Sequence, residues 1–164
     1  MGLGAVGSAA AWRLAVAGHE VIGFDSWEPP HTNGSTHSES RMTRETAEEV
    51  RKRWKHIRAS DIAPVTATMQ RYFPRNAGAW LRGATCMYTV TPHGQFILDR
   101  HPEHPQVVLG SPCNGFGFKF SGATGEALAA MAVGDEPPVS ISHWSLASAM
   151  AAGLATRAAR AHSP

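Results

Sequence analysis

Three glycines at the start of the chain, Gly2, Gly4 and Gly7, stand at the spacing that lets a backbone wrap a diphosphate. The first permits a tight turn, the second admits the backbone to the pyrophosphate, and the third allows close helix packing. Asp25 lies 18 residues beyond Gly7, near the spacing at which a carboxylate takes ribose hydroxyls. Between them run Ser8 to Ala17, an alanine-rich helix former closed by Gly18, and Glu20 to Asp25, a short buried-strand pattern ending in the acid. Helix N-terminal N–H groups would face the phosphates. The order of turn, helix, strand and acid makes a dinucleotide-binding origin the leading reading, against a chance glycine-rich turn. The strand that ordinarily precedes such a turn is expected to be missing, because only Met1 stands before Gly2.

The elements that must position this chemistry come next. Pro29 to Glu39 reads as a polar loop. Glu45 to Arg58 reads as a charged helix, with Ala47, Val50, Trp54 and Ile57 on one face and Glu–Lys and Glu–Arg pairs four apart on the other. A second short helix is expected from Val65 to Tyr72, ending near Pro74. Thr85 to Thr91, Phe96 to Leu98 and Gln106 to Gly110 read as strands, with a turn at Pro92 to Gly94. Gly122 to Val133 reads as a helix stopped by Gly134, and the tail from Ser145 is alanine-rich and basic.

Composition limits the alternatives. The 164 residues are 43% hydrophobic and 17% charged, with a net charge of +2 and only two cysteines, Cys86 and Cys113. That is one modest globular unit with no disulfide framework, and a reducing, cytoplasmic compartment is expected. No apolar run reaches the length of a membrane span, the start lacks the basic leader of an export signal, and no basic stripe interleaved with aromatics suggests nucleic acid. His101 and His104 form an H-x-x-H pair, but Pro102 and Pro105 break helical presentation and no further ligands stand at familiar spacing, so no metal site is expected.

Two stretches carry a likeness to a known family. Gly2 to Asp25, Pro29-Pro30-His31, Gly34-Ser35, His37 and Ser40-Arg41-Met42-Thr43-Arg44 resemble the flavin-binding start of the sarcosine oxidase and N-methyltryptophan oxidase family. Arg82 to Pro92, Phe96 to Pro105 and Gly115 to Ser121 resemble its C-terminal part. The resemblance implies an α/β fold: a partial FAD-binding Rossmann-like domain lacking its first strand, with a remnant of the substrate domain. It divides the chain into 1–44, the N-terminal part of the FAD domain; 45–75, a charged helical junction; 76–134, a segment with the flavin-attachment motif and the last strand and helix of the FAD domain; and 135–164, a tail.

Residue by residue, the resemblance implies FAD contacts at Gly2, Gly4, Gly7, Asp25 and Ser35, and covalent attachment of FAD through Cys86. A thiolate attacking an electrophilic flavin methyl is reasonable chemistry. Arg44 and Lys119 match positions that grip a substrate carboxylate, and Arg41 matches a basic residue near the flavin ring. Positive groups there bind a carboxylate and stabilise reduced flavin. Taken without their neighbours, Cys86 reads as a buried apolar thiol and the two arginines as surface charges. The implied reaction is oxidation of a secondary amine such as an N-methyl amino acid, with a small-molecule amine and oxygen as partners and peroxide as product.

Departures accompany the matches. Phe116 stands where the family usually has His, Pro112-Cys113 replaces Gly-Phe, and His93 replaces an Asp. The likeness breaks off between Arg44 and about Asp61, where the family has a long middle segment carrying its oxygen-activating lysine, so an internally deleted chain is expected. A non-catalytic domain that binds FAD weakly or not at all is the second reading. A nicotinamide-dependent dehydrogenase is permitted by the glycines and opposed by the Cys86 and Lys119 segments.

Overall fold

The computed structural model describes residues 2–34, 36, 57–82 and 89–161, with only the backbone described for 156–161. Ser35, Arg41, Arg44 and Cys86 lie outside the described residues, as does most of the charged helix expected at 45–58 and the first part of the strand expected at 85–91. The chain divides into two units, 1–36 with 88–164, and 37–87.

In the larger unit, α1 spans Ala5–Val16 and α3 spans Ser121–Val133. Alanine carries the first, since it loses no side-chain entropy in a helix. Its stop is a paired glycine device: Gly18 adopts φ 87°, its N–H bonds the Ala15 carbonyl at 3.0 Å, and the His19 N–H bonds that of Leu14 at 3.0 Å. The same arrangement ends α3, with Gly134 at φ 90° and N–H bonds from Gly134 and Asp135 to Met131 and Ala130. Both helix stops follow the sequence expectation.

The two helices pack against each other through small residues. A Cβ on Gly125 would lie 2.5 Å from the Ala9 Cβ and 2.9 Å from the Ala10 nitrogen, so no larger residue fits this crossing. An Arg13–Glu126 ion pair at 3.1 Å spans the contact, but both side chains are about 40% exposed, which leaves it a minor contributor.

Strands β1, Ile97–Arg100, and β2, Val108–Ser111, pair antiparallel with Leu98 opposite Gly110 and Asp99 opposite Leu109. The core sits over this hairpin: Phe96, Leu98 and Ala127 are buried, and Leu128, Ile141 and Trp144 pack against them. Phe96 is its hub, with ring centroids of Trp144, Phe116 and Phe120 at 5.1, 5.2 and 5.6 Å. Helix α4, Leu146–Ala161, is fixed to the hairpin because Asp99 Oδ2 accepts the Leu146 N–H at 2.8 Å, placing a carboxylate at a helix N-terminus. Ahead of β1, the Thr91 N–H donates to Asn114 Oδ1 at 2.8 Å, and Asn114, at φ 46°, donates its own N–H to the Thr89 carbonyl. Asparagine is among the few residues that tolerate that backbone region.

In the other unit the described residues form α2, Ala59–Tyr72, where the Arg58 N–H donates to the Asp61 carboxylate at 2.8 Å. Sequence reading starts this helix at Val65. The structure begins it six residues earlier, because Pro64 sits near the start and removes a single bond, to the Ser60 carbonyl. Ile57 and Arg58, expected within the preceding helix, are non-helical.

Two further expectations are corrected. Residues 20–25 form no strand: among the described residues nothing pairs with them, and Ile22 and Phe24 are 66% and 72% exposed. A buried-strand pattern needs a neighbour that supplies both ladder bonds and cover. Thr89 to Thr91 likewise carry no ladder. The segment around Lys119, to which sequence reading assigned no element, is a tight 3-10 turn over Gly117–Phe120 that runs straight into α3. Asn114 and Gly115, both at positive φ, fold the chain back too sharply for a strand. Among the described residues no helix is long and apolar enough to cross a membrane.

Candidate functional site

The glycine turn and Asp25 come together as the spacing predicts, although no strand delivers the acid. The Leu3 N–H, at the centre of the turn, donates to Asp25 Oδ2 at 3.2 Å. Asp25 Oδ1 faces the N–H groups of Ser26 at 2.7 Å and Trp27 at 3.4 Å, and the His31 Nε2 at 3.2 Å. Desolvation pushes the Asp25 carboxyl up, but the Leu3 and Trp27 N–H groups, His31 and the Ser26 N–H outweigh it and hold the group below its ordinary value. The acid is therefore a carboxylate across the neutral range.

Each glycine has a distinct environment. Gly7 is sterically required, since a Cβ there would sit 1.7 Å from the Gly2 carbonyl oxygen. Gly2 has nothing within 4 Å on that side, and Gly4 meets only the Thr36 hydroxyl at 3.4 Å. That hydroxyl accepts the Ala5 N–H at 3.3 Å, and Ser8 Oγ donates to the Leu3 carbonyl at 2.8 Å, bracing the turn against α1. Among the described residues the first turn of α1 gives the Ala5 N–H to Thr36, and the N–H groups of Val6 and Gly7 follow it at the helix start. Open space beside Gly2, a helix N-terminus and a carboxylate with capacity on Oδ2 fit a pyrophosphate and a ribose diol.

Lys119 lies elsewhere in the same unit. It is exposed on the 3-10 turn, with its ammonium 5.3 Å from the Phe120 ring centroid. Phe116 packs on Phe96, giving a hydrophobic role to the position where His was expected. His93, in place of Asp, sets its Nδ1 3.1 Å from the Thr91 hydroxyl and buries its Nε2. Cys113 is a free thiol.

His101 and His104 do stack, with centroids 5.0 Å apart. His101 Nδ1, however, accepts the N–H groups of Glu103 and His104 at 3.2 Å each, so that nitrogen serves the turn. Among the described residues no group of three or more His, Cys, Asp or Glu is placed to hold a metal ion.

Sequence reasoning assigned no role to Thr36 or His31, although both contact the turn and its acid. Their side chains act across loops of irregular geometry, where no periodicity marks the contact. The only signal was the position of His31 six residues after Asp25 in a polar loop.

The family match begins after the glycine turn, Asp25 and His31. The sequence signature of the family described as FAD dependent oxidoreductase matches residues 34–131. The chain is 41% identical over 86 residues to monomeric sarcosine oxidase of Bacillus sp. (strain B-0618), covering 52% of this chain and 22% of that protein. It is 42% identical over 89 residues to N-methyl-L-tryptophan oxidase of Yersinia pestis (strain Pestoides F), covering 54% of this chain and 24% of that protein. Monomeric sarcosine oxidase of Arthrobacter sp. (strain TE1826) is 34% identical over 90 residues, or 55% and 23%. The match thus spans less than a quarter of these curated relatives. The mixed architecture of helices and a small sheet is consistent with part of an FAD-binding domain.

Proposed function

The chain belongs to the FAD dependent oxidoreductase family, and from that premise we propose that it holds the adenosine and pyrophosphate half of FAD on its glycine turn and takes part in oxidising a small secondary amine. The observation that carries this reading is the Leu3 N–H to Asp25 bond, which sets a carboxylate beside the opening of α1. Gly2 and Gly4 admit the pyrophosphate, Asp25 receives a ribose hydroxyl, and Ser35 is a further FAD contact that the family resemblance suggests. FAD, when bound, supplies a two-electron acceptor that returns its electrons to oxygen.

Arg44 and Lys119 bind the carboxylate of an N-methyl amino acid, and Arg41 lowers the cost of negative charge near the ring. Cys86 tethers the flavin through its sulfur. Together with the Bacillus and Yersinia similarities, these residue types support an amine oxidase of the sarcosine type, with the whole reaction depending on a pocket only partly carried by these residues.

The test is optical. Purified protein should take up FAD and show the flavin bands near the visible blue, and acid precipitation should leave a yellow pellet that Cys86→Ala abolishes. Peroxide release with an N-methyl amino acid then measures turnover. A protein that remains colourless with added FAD overturns the reading in favour of a non-catalytic domain, and a yellow supernatant over a white pellet removes the covalent tether alone.

A further inference from the structure

The most directed side-chain contact on Asp25 comes from His31, a residue with no role in the reading above. Its Nε2 lies 3.2 Å from Asp25 Oδ1, and its Nδ1 accepts the Asn33 N–H at 3.2 Å. The ring rests against the Trp27 indole, with centroids 5.3 Å apart and planes inclined at 60°. A ring nitrogen that accepts a backbone N–H holds no proton, so this network assigns the neutral ring its proton on Nε2 and makes it the donor to the carboxylate. His31 is thereby held from both sides, and only 19% of its side chain is exposed.

The two carboxylate oxygens are loaded unequally. Among the described residues, Oδ1 takes its two closer donors from Ser26 and His31, with Trp27 farther off at 3.4 Å, while Oδ2 takes the Leu3 N–H. An ionised carboxylate oxygen accommodates about two well-directed donors, so Oδ1 is full and Oδ2 has one site left.

We propose that His31 is a positioning residue for dinucleotide capture: by filling Oδ1 and fixing the carboxylate rotamer, it presents Oδ2 of Asp25 as the single acceptor for one ribose hydroxyl. This rests on the dinucleotide reading of the glycine turn. Without His31 the carboxylate keeps only its backbone donors, those of Leu3, Ser26 and the more distant Trp27, and its orientation toward the hydroxyl is held less tightly. The consequence is a loss of discrimination between sugars rather than a uniform loss of affinity.

The experiment titrates the full-length protein with ADP, 2′-deoxy-ADP and 3′-deoxy-ADP by isothermal calorimetry. The unmodified protein should favour ADP over one of the two deoxy forms by about 10- to 100-fold, the range expected for a hydrogen bond to a charged group. His31→Ala should shrink that ratio to about 2-fold or less, consistent with losing a positioned charge-assisted bond. His31→Gln, whose amide nitrogen reaches the place of Nε2, should restore most of it. A general loosening of the loop would weaken all three ligands equally, which would overturn the positioning role. If ADP binds and His31→Ala keeps the ratio, the positioning role falls and the dinucleotide reading stands. If neither ADP nor FAD binds the unmodified protein, both fall. Nitrogen NMR of the unliganded protein gives an independent check: a ring protonated on Nδ1 instead of Nε2 overturns the assignment without reference to binding.

Discussion

Two regions of the larger unit are built on opposite principles. The segment from the glycine turn to Thr36 keeps Ile22, Phe24 and Trp27 more than half exposed and is organised by hydrogen bonds converging on Asp25 and by the Thr36 hydroxyl. The hairpin with α3 is organised by burial, around Phe96 and Leu98 at 3% and 1% exposure. Directional bonds hold an open surface in shape without filling it, whereas a packed core resists change in any residue that fills it. What joins them is one crossing, α1 on α3, where Ala9, Ala10 and Gly125 bring two backbones together.

Paired truncations test the contrast most strongly. Leu98→Ala should destabilise the protein by about 2–5 kcal/mol, the usual cost of emptying a core site. Phe24→Ala, a larger deletion, should change stability by only about 0.5 kcal/mol, because that ring is already in water. Urea unfolding of both variants reads the difference; equal losses would mean that Phe24 is covered in solution and would erase the distinction.

The crossing comes next in size. Gly125→Ala places a methyl group 2.5 Å from Ala9 Cβ, so α1 must shift. A loss of about 1–3 kcal/mol is expected for such overpacking. Hydrogen exchange should show faster opening in α1 than in the hairpin. Uniform acceleration would mean that the two regions unfold together.

The smallest effect lies in acid. Asp25 has its carboxyl held low in the folded chain, so its stabilising contribution is present above the ordinary carboxylate value of about 4 and is lost as pH falls through the lowered folded value. Thermal midpoints of the unmodified protein and Asp25→Asn should therefore differ at neutral pH and converge below about pH 4. A gap that persists in strong acid would assign the effect of Asp25→Asn to shape and not to charge.

The helix stops at Gly18 and Gly134 were legible from residue type alone, as was the turn at Pro92 to Gly94, because positive φ and a fixed proline φ are local properties. The hairpin strands were legible to within two residues or so. The segment 20–25 was not, since alternation and apolar content describe what a strand would bury and are silent on whether a neighbour exists. Lys119 was placed by resemblance alone, and the positive φ of Asn114 and Gly115 ahead of it sets a helical turn that no residue pattern announced.

By itself the sequence determined the kinship, the glycine spacing, the acid 18 residues on and the helix stops at Gly18 and Gly134, all of which depend on residues near one another in the chain. Only the tertiary structure decided which atoms meet: Leu3 with Asp25, His31 with Oδ1, Thr36 with the start of α1, Asp99 with the start of α4. These bonds join residues separated by loops of irregular course, and their existence depends on loop closure and packing that no periodic pattern encodes.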